Sequence, residues 1–185
     1  MAIPLATVYK VTSAEVQLVP FSELGPGQAA AIRRDMVNAL LNEVSSKLNI
    51  ARPGLVVRDL MPANDLDFTP EDWYEVVGAT VNTYETLTTG TMGDKRWVGI
   101  YGVKLDGDAR AVTALRFNIG GSNRAYWQLQ GLSEMDGFVG LSPMGIVIPQ
   151  NMPYTIARYV RSVSSPDHTV LKGIVVEPRG LLISP

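Results

Sequence analysis

The sequence predicts a mainly β protein with one long helix, folded as an antiparallel β-sandwich of jelly-roll type. An N-terminal arm and the helix are expected to pack against the sandwich. Three observations carry this. From Val81 onward, seven short β-prone runs recur at regular spacing, separated by Gly, Pro, Asn and Asp clusters. One stretch alone, Gln28 to Asn49, has a sustained 3.6-residue apolar period. Charged residues make up 18% of the 185, below the roughly one quarter usual in globular proteins, which fits a chain that buries much surface.

Residues 1–21 read as an extended arm, with "TVYKV" and "EVQLVPF" as β-prone runs, and residues 22–185 as one β-sandwich domain that includes helix 28–49. "SELGPG" breaks the chain before the helix. In the helix, Ile32, Met36, Val37, Leu40, Leu41, Val44 and Leu48 form one apolar stripe, and Arg33, Arg34, Asp35, Asn38, Asn42, Glu43 and Lys47 largely occupy the other face. Asn49 suits the end of the helix, and Pro53 prevents its continuation. A strand is expected at Leu55–Leu60. A short helix is expected near 70–77, because Thr69 can cap it, Pro70 presets φ, and Glu71 and Asp72 favour the positive end of its dipole.

The β runs are Val81–Thr88, Trp97–Leu105, Ala111–Ile119, Tyr126–Leu132, Gly145–Ile148, Tyr154–Val163 and Thr169–Glu177. "LDGDAR" (105–110) and "GGSN" (120–123) read as hairpin turns, "LSPMG" and "PQNMP" as longer bends. The last two runs read as a further hairpin with Pro166 and Asp167 in its turn and His168 at its tip. Neither run separates apolar from polar residues cleanly. Both faces are therefore expected to be covered, the outer one by the helix or by another subunit. The apolar tail "GLLISP" suits a covered terminus.

Bulk properties remove several functions. The net charge is -2 with scattered Lys and Arg, so no nucleic-acid footprint is expected. With no cysteine, disulfide scaffolds, zinc ribbons and thiol catalysis are excluded. No leader and no apolar run of membrane-spanning length is evident, so a soluble protein made in the cytoplasm is expected. The single histidine, His168, cannot build a multi-histidine metal centre.

Ser164, Ser165, Asp167 and His168 supply the residue types of a hydrolase triad. They crowd into five residues around a proline, however, and no G-x-S-x-G elbow occurs, so a turn is the simpler account. Asp65, Asp67, Thr69 and Glu71 alternate like the front of a calcium loop, but Pro70 and Val76 stand where such a loop needs Gly and Glu. A carboxylate enzyme built on Asp65, Asp67 or Glu71 is a third-ranked possibility. Trp73, Trp97 and Trp127 would serve a carbohydrate- or receptor-binding module, in a tail or baseplate for example, only if at least two of them lay exposed on one concave surface.

The stretches "RFNIGGSNRAYWQLQG" and "IVIPQNMPYTIARYVRSVSSPDHTVLKGIVVEPRG", within residues 97–180, resemble in texture the small jelly-roll structural proteins of tailed bacteriophages, above all head decoration (cement) proteins. The long helix at 28–49 is not general in that group. The resemblance implies a virion protein with no catalytic residue, cofactor or metal. It would be a homotrimer or other cyclic oligomer bridging neighbouring copies of the major capsid protein, with no direct contact to nucleic acid or membrane. Tyr154, Arg158, Tyr159, Arg161 and His168 are the residues expected at its partner interface.

Overall fold

The computed structural model describes residues 15–20, 23–25, 27–68, 80–107, 111–129, 139–162 and 167–183. The short helix expected near 70–77 lies outside these residues, as do Trp73, the turn residues Ser164, Ser165 and Pro166, and the first part of the arm.

The strands are β1 (Glu15–Gln17), β2 (Val19–Pro20), β3 (Leu55–Asp59), β4 (Thr83–Thr91), β5 (Trp97–Gly107), β6 (Val112–Ile119), β7 (Ser122–Gln128), β8 (Val139–Ile148), β9 (Pro153–Val160) and β10 (Asp167–Pro178). They form two five-stranded sheets. The first is ordered β1-β7-β6-β9-β4 and the second β2-β8-β5-β10-β3. All pairings are antiparallel except that of β1 with β7.

This order is a jelly roll with two added edge strands. β3 pairs β10, β4 pairs β9, β5 pairs β8 and β6 pairs β7. The chain from β3 to β10 is thus one long nested ribbon, wound so that its pairs fall alternately in the two sheets. Only its tip, β6–β7, is a local hairpin. Gly120 and Gly121 both have positive φ, 64° and 76°, and Ile119 pairs Ser122 across them, the two-residue turn that "GGSN" predicts.

The winding corrects two expected hairpins. β5 runs on through Leu105, Asp106 and Gly107 in the second sheet while β6 lies in the first, so the two strands do not form a hairpin across "LDGDAR". Likewise β9 and β10 lie in opposite sheets. His168 is not at a hairpin tip but within β10, in register with Asp106 of β5. The cause is length: in a wound ribbon each strand pairs with one far away in sequence, and a proline between two β runs fits a crossover as well as a hairpin.

The helix, α1, spans Gln28–Leu48, with Asn49 in the left-handed conformation (φ 52°) returning its N–H to the Ser45 carbonyl. Met36, Leu40 and Val44 bury their side chains on the outer face of the second sheet against Trp97, Ile174, Val176 and Leu55. Gly99 permits the approach, since a Cβ there would lie 2.6 Å from Leu40 Cδ1. Between the sheets lies the main core, with Val98, Ile100, Leu171 and Val175 facing Leu115, Phe117, Trp127 and Ile156. β10 is therefore apolar on both faces because the helix covers the outer one.

The described part of the arm does not stand apart from the domain. β1 extends the edge of the first sheet, β2 that of the second, and Leu18 between them enters the core at 2% exposure. A four-residue helix, α2 (Pro62–Asp65), follows β3 and was not expected. At the other terminus, Leu181 lies in a 3-10 turn and is exposed.

Candidate functional site

Strand alternation sorts the expected interface residues. Along β9, Tyr154, Ile156, Arg158 and Val160 share the inner face, and Thr155, Ala157 and Tyr159 the outer one. Tyr154 (3% exposed) and Arg158 (0%) are thus inside the sandwich and cannot meet a partner. Arg158 is carried inward because Ile156 and Val160 commit that face to the core. Its charge is matched by Glu85 on β4, whose Oε2 accepts from both Nε and Nη2 at 2.9 Å. Burial pushes the Tyr154 hydroxyl up to about 12, reinforced by the nearby Asp67 charge. Tyr159 is half-buried on the outer face, and Arg161, two residues on, is exposed.

On that outer face the sheet brings together four side chains from four strands. Tyr84 (β4), Tyr159 (β9), Arg116 (β6) and Tyr126 (β7) are all half-buried. Tyr84 meets Tyr159 edge-on at 5.2 Å between ring centres and Tyr126 at 6.4 Å, with the planes at 70° and 63°. The Arg116 guanidinium sits 4.2 Å from the Tyr84 ring centre, a cation–π contact. Register explains the assembly, since Tyr84 is paired with Tyr159 and Arg116 with Tyr126. Around the cluster lie polar pairs, Thr89 with Thr155 (3.0 Å) and Asn118 with Asn123 (3.4 Å). Sequence reasoning picked out Tyr159 here and missed the other three. The alternation in "RFN" and "AYWQ" marks Arg116 and Tyr126 as outward, but which strands adjoin is not visible along the chain.

The acids of the enzyme reading are placed differently. Asp65 is locked in a buried network with Arg58, whose Nη1 and Nη2 donate to it at 2.7 and 2.6 Å, and with the Met61 N–H at 2.8 Å. Glu177 accepts from Arg58 Nε at 3.0 Å and Arg96 Nε at 2.9 Å. Every oxygen of the two carboxylates accepts at least one of these bonds, which ties α2 and the start of β5 to the β3–β10 pair. Asp67 is exposed, with φ 51°, and Glu71 lies outside the described residues. Among the described residues no three His, Asp or Glu converge on a metal position.

Trp97 (1% exposed) and Trp127 (0%) are core residues. The two exposed tryptophans that a carbohydrate module would need are therefore missing whatever Trp73 does. The Tyr84, Tyr126 and Tyr159 rings stand at steep angles, unlike the level platform on which a sugar ring stacks.

No family model matches the sequence, and no curated relative does. Among solved structures, the chain is similar to the CBM36-1 domain of a multidomain xylanase from the hindgut metagenome of Trinervitermes trinervoides. The TM-score is 0.30 and the identity 7%, over 68% of this chain and 98% of that one. So slight a likeness does not bear on function.

Proposed function

We propose that this chain is a non-enzymatic assembly protein, a virion structural protein of the decoration type that docks onto neighbouring capsid proteins through the outer face of its first sheet. The Tyr84–Tyr126–Tyr159–Arg116 cluster carries the reading. Tyrosine and arginine are the side chains most enriched where protein partners meet, and each offers a large, stiff contact area with a polar end. The outer face of the second sheet is taken by α1. On that of the first, the four residues of the cluster are each half-buried.

Size adds a constraint. Five strands of about seven residues present a face of roughly 24 by 23 Å, or about 550 Å², below the ~800 Å² per partner of a standard stable interface. One copy would hold weakly. Several copies in a cyclic oligomer, such as the trimer that the phage resemblance implies, would hold by avidity.

The test is cosedimentation with, and mass spectrometry of, purified particles of the phage that encodes the chain. The protein is expected in the particles, and Tyr84→Ala with Tyr159→Ala is expected to lower its occupancy at least tenfold while the fold is kept. A protein absent from particles, or one indifferent to both substitutions, would sink the proposal.

A further inference from the structure

Four of the described arginines are not exposed: Arg58, Arg96, Arg116 and Arg158. A guanidinium withdrawn from water ordinarily keeps a carboxylate beside it, and three of the four do. Arg58 and Arg96 share Asp65 and Glu177, and Arg158 faces Glu85. Arg116 differs. It contacts the Tyr84 ring, 4.2 Å from the ring centre, and among the described residues no carboxylate or carbonyl accepts a hydrogen bond from it. A ring face attracts the cation but is no acceptor for the five N–H donors that lie in the guanidinium plane.

The position is central. β6 is the middle strand of the first sheet, and Arg116 is in register with Tyr126 of β7 on one side and Ala157 of β9 on the other. Strands β4, β6, β7 and β9 together carry four charged residues and no lysine. Two of the four, Glu85 and Arg158, pair with each other. The other two, Arg116 and the exposed Arg124, are both cations. β1 adds one acid, Glu15, in register with Tyr126. At the middle of the face, positive charge thus sits among the rings of Tyr84, Tyr126 and Tyr159.

We infer that Arg116 anchors this face and that the partner brings to it a protein carboxylate, an Asp or Glu side chain held in two parallel N–H···O bonds. Arginine suits this as lysine does not, because its planar fork matches a carboxylate while its face stays on the tyrosine ring. Rings around the pair shield it from water, the setting in which interface arginines matter most. A nucleic-acid backbone is the poorer fit. It is held by many cations, whereas these four strands offer two and the whole chain has a net charge of -2. The inference rests on the assembly reading above, of which it names the chemistry of the partner's surface.

The probe is a hexaglutamate peptide, titrated at low salt into the full-length protein while the arginine Nε–H and tyrosine ring NMR signals are followed. The Arg116 signal and those of Tyr84, Tyr126 and Tyr159 are expected to shift together and saturate by about 10 mM, a weak single-site affinity. The signals of exposed Arg34 and Arg179 should move little. Arg116→Lys keeps the charge and loses the fork, so it is expected to weaken the tyrosine response at least tenfold. Its melting temperature should be unchanged, since Arg116 contacts only a ring among the described residues. No shift at Arg116, a full response in Arg116→Lys, or tighter saturation by inorganic phosphate or oligothymidylate would overturn the inference. A second arm uses phage particles. Carbodiimide treatment of particles carrying Arg116→Lys protein is expected to join the introduced amine to an Asp or Glu of a neighbouring protein, located by mass spectrometry. The two proposals fail separately. Hexaglutamate binding by a protein absent from particles refutes the virion reading alone. A particle-bound protein whose Arg116 ignores hexaglutamate, and whose Arg116→Lys variant gives no such link, refutes the carboxylate anchor alone.

Discussion

Replacing Asp65 by Asn tests the account of how the sandwich end is closed. The Asp65 side chain is 1% exposed and takes two hydrogen bonds from Arg58 and one from the Met61 N–H. Asn keeps the shape, loses the charge and turns an NH₂ toward a guanidinium. Breaking a fully buried pair costs about 3–5 kcal/mol. The Arg58 and Arg96 side chains are 19% and 31% exposed, so water replaces part of the loss and about 2–4 kcal/mol is expected. For a domain of this size each kcal/mol moves Tm by about 2–4 °C, so a fall of roughly 4–16 °C should appear when unfolding is followed by the fluorescence of Trp97 and Trp127. Asp59→Asn is the control. It removes a pair with Arg33 in which the side chains are 46% and 77% exposed, worth at most about 0.5 kcal/mol. If Asp65→Asn costs under ~1 kcal/mol, or no more than Asp59→Asn, the network does not hold α2 in place.

Other expectations follow from single positions. Gly145 has φ 50° and a Cβ there would overlap Met36 Cε, so Gly145→Ala should cost about 2–3 kcal/mol in urea denaturation from overpacking and backbone strain. Gly121→Ala has open space around it at φ 76° and should cost only about 1 kcal/mol. The Tyr154 hydroxyl has its folded value raised to about 12 from 10.0, so between these values the folded state holds more protons than the unfolded one. Its contribution is complete below pH 10 and is lost as pH rises toward 12, and Tyr154→Phe should flatten that part of the stability–pH curve. Leu18→Ala should cost about 2–4 kcal/mol and expose β1 and β2 to hydrogen exchange ahead of β6. Equal protection would show that the N-terminal strands are held by more than this anchor.

What was legible along the chain was local. The helix appears within one residue of its expected span because its stripe, its Asn49 cap and Pro53 all lie within a few turns of one another. The β6–β7 turn was fixed by two glycines that tolerate positive φ. Strand positions followed from composition and turn residues, although β8 begins at Val139, six residues before the expected start at Gly145. Partners were not legible. β3 pairs with β10 across more than a hundred residues, and no periodicity records which distant strand satisfies a backbone edge. Arg158 looked like a contact residue because an arginine on a strand is ordinarily outward. Only the joint burial of its neighbours, with Glu85 brought opposite by pairing, made an inward charge tolerable. The Tyr84, Tyr126, Tyr159 and Arg116 cluster likewise draws on four strands whose order the fold sets. Local backbone and side-chain preferences are written in consecutive residues, whereas sheet order is decided by which faces can be buried together once the ribbon winds.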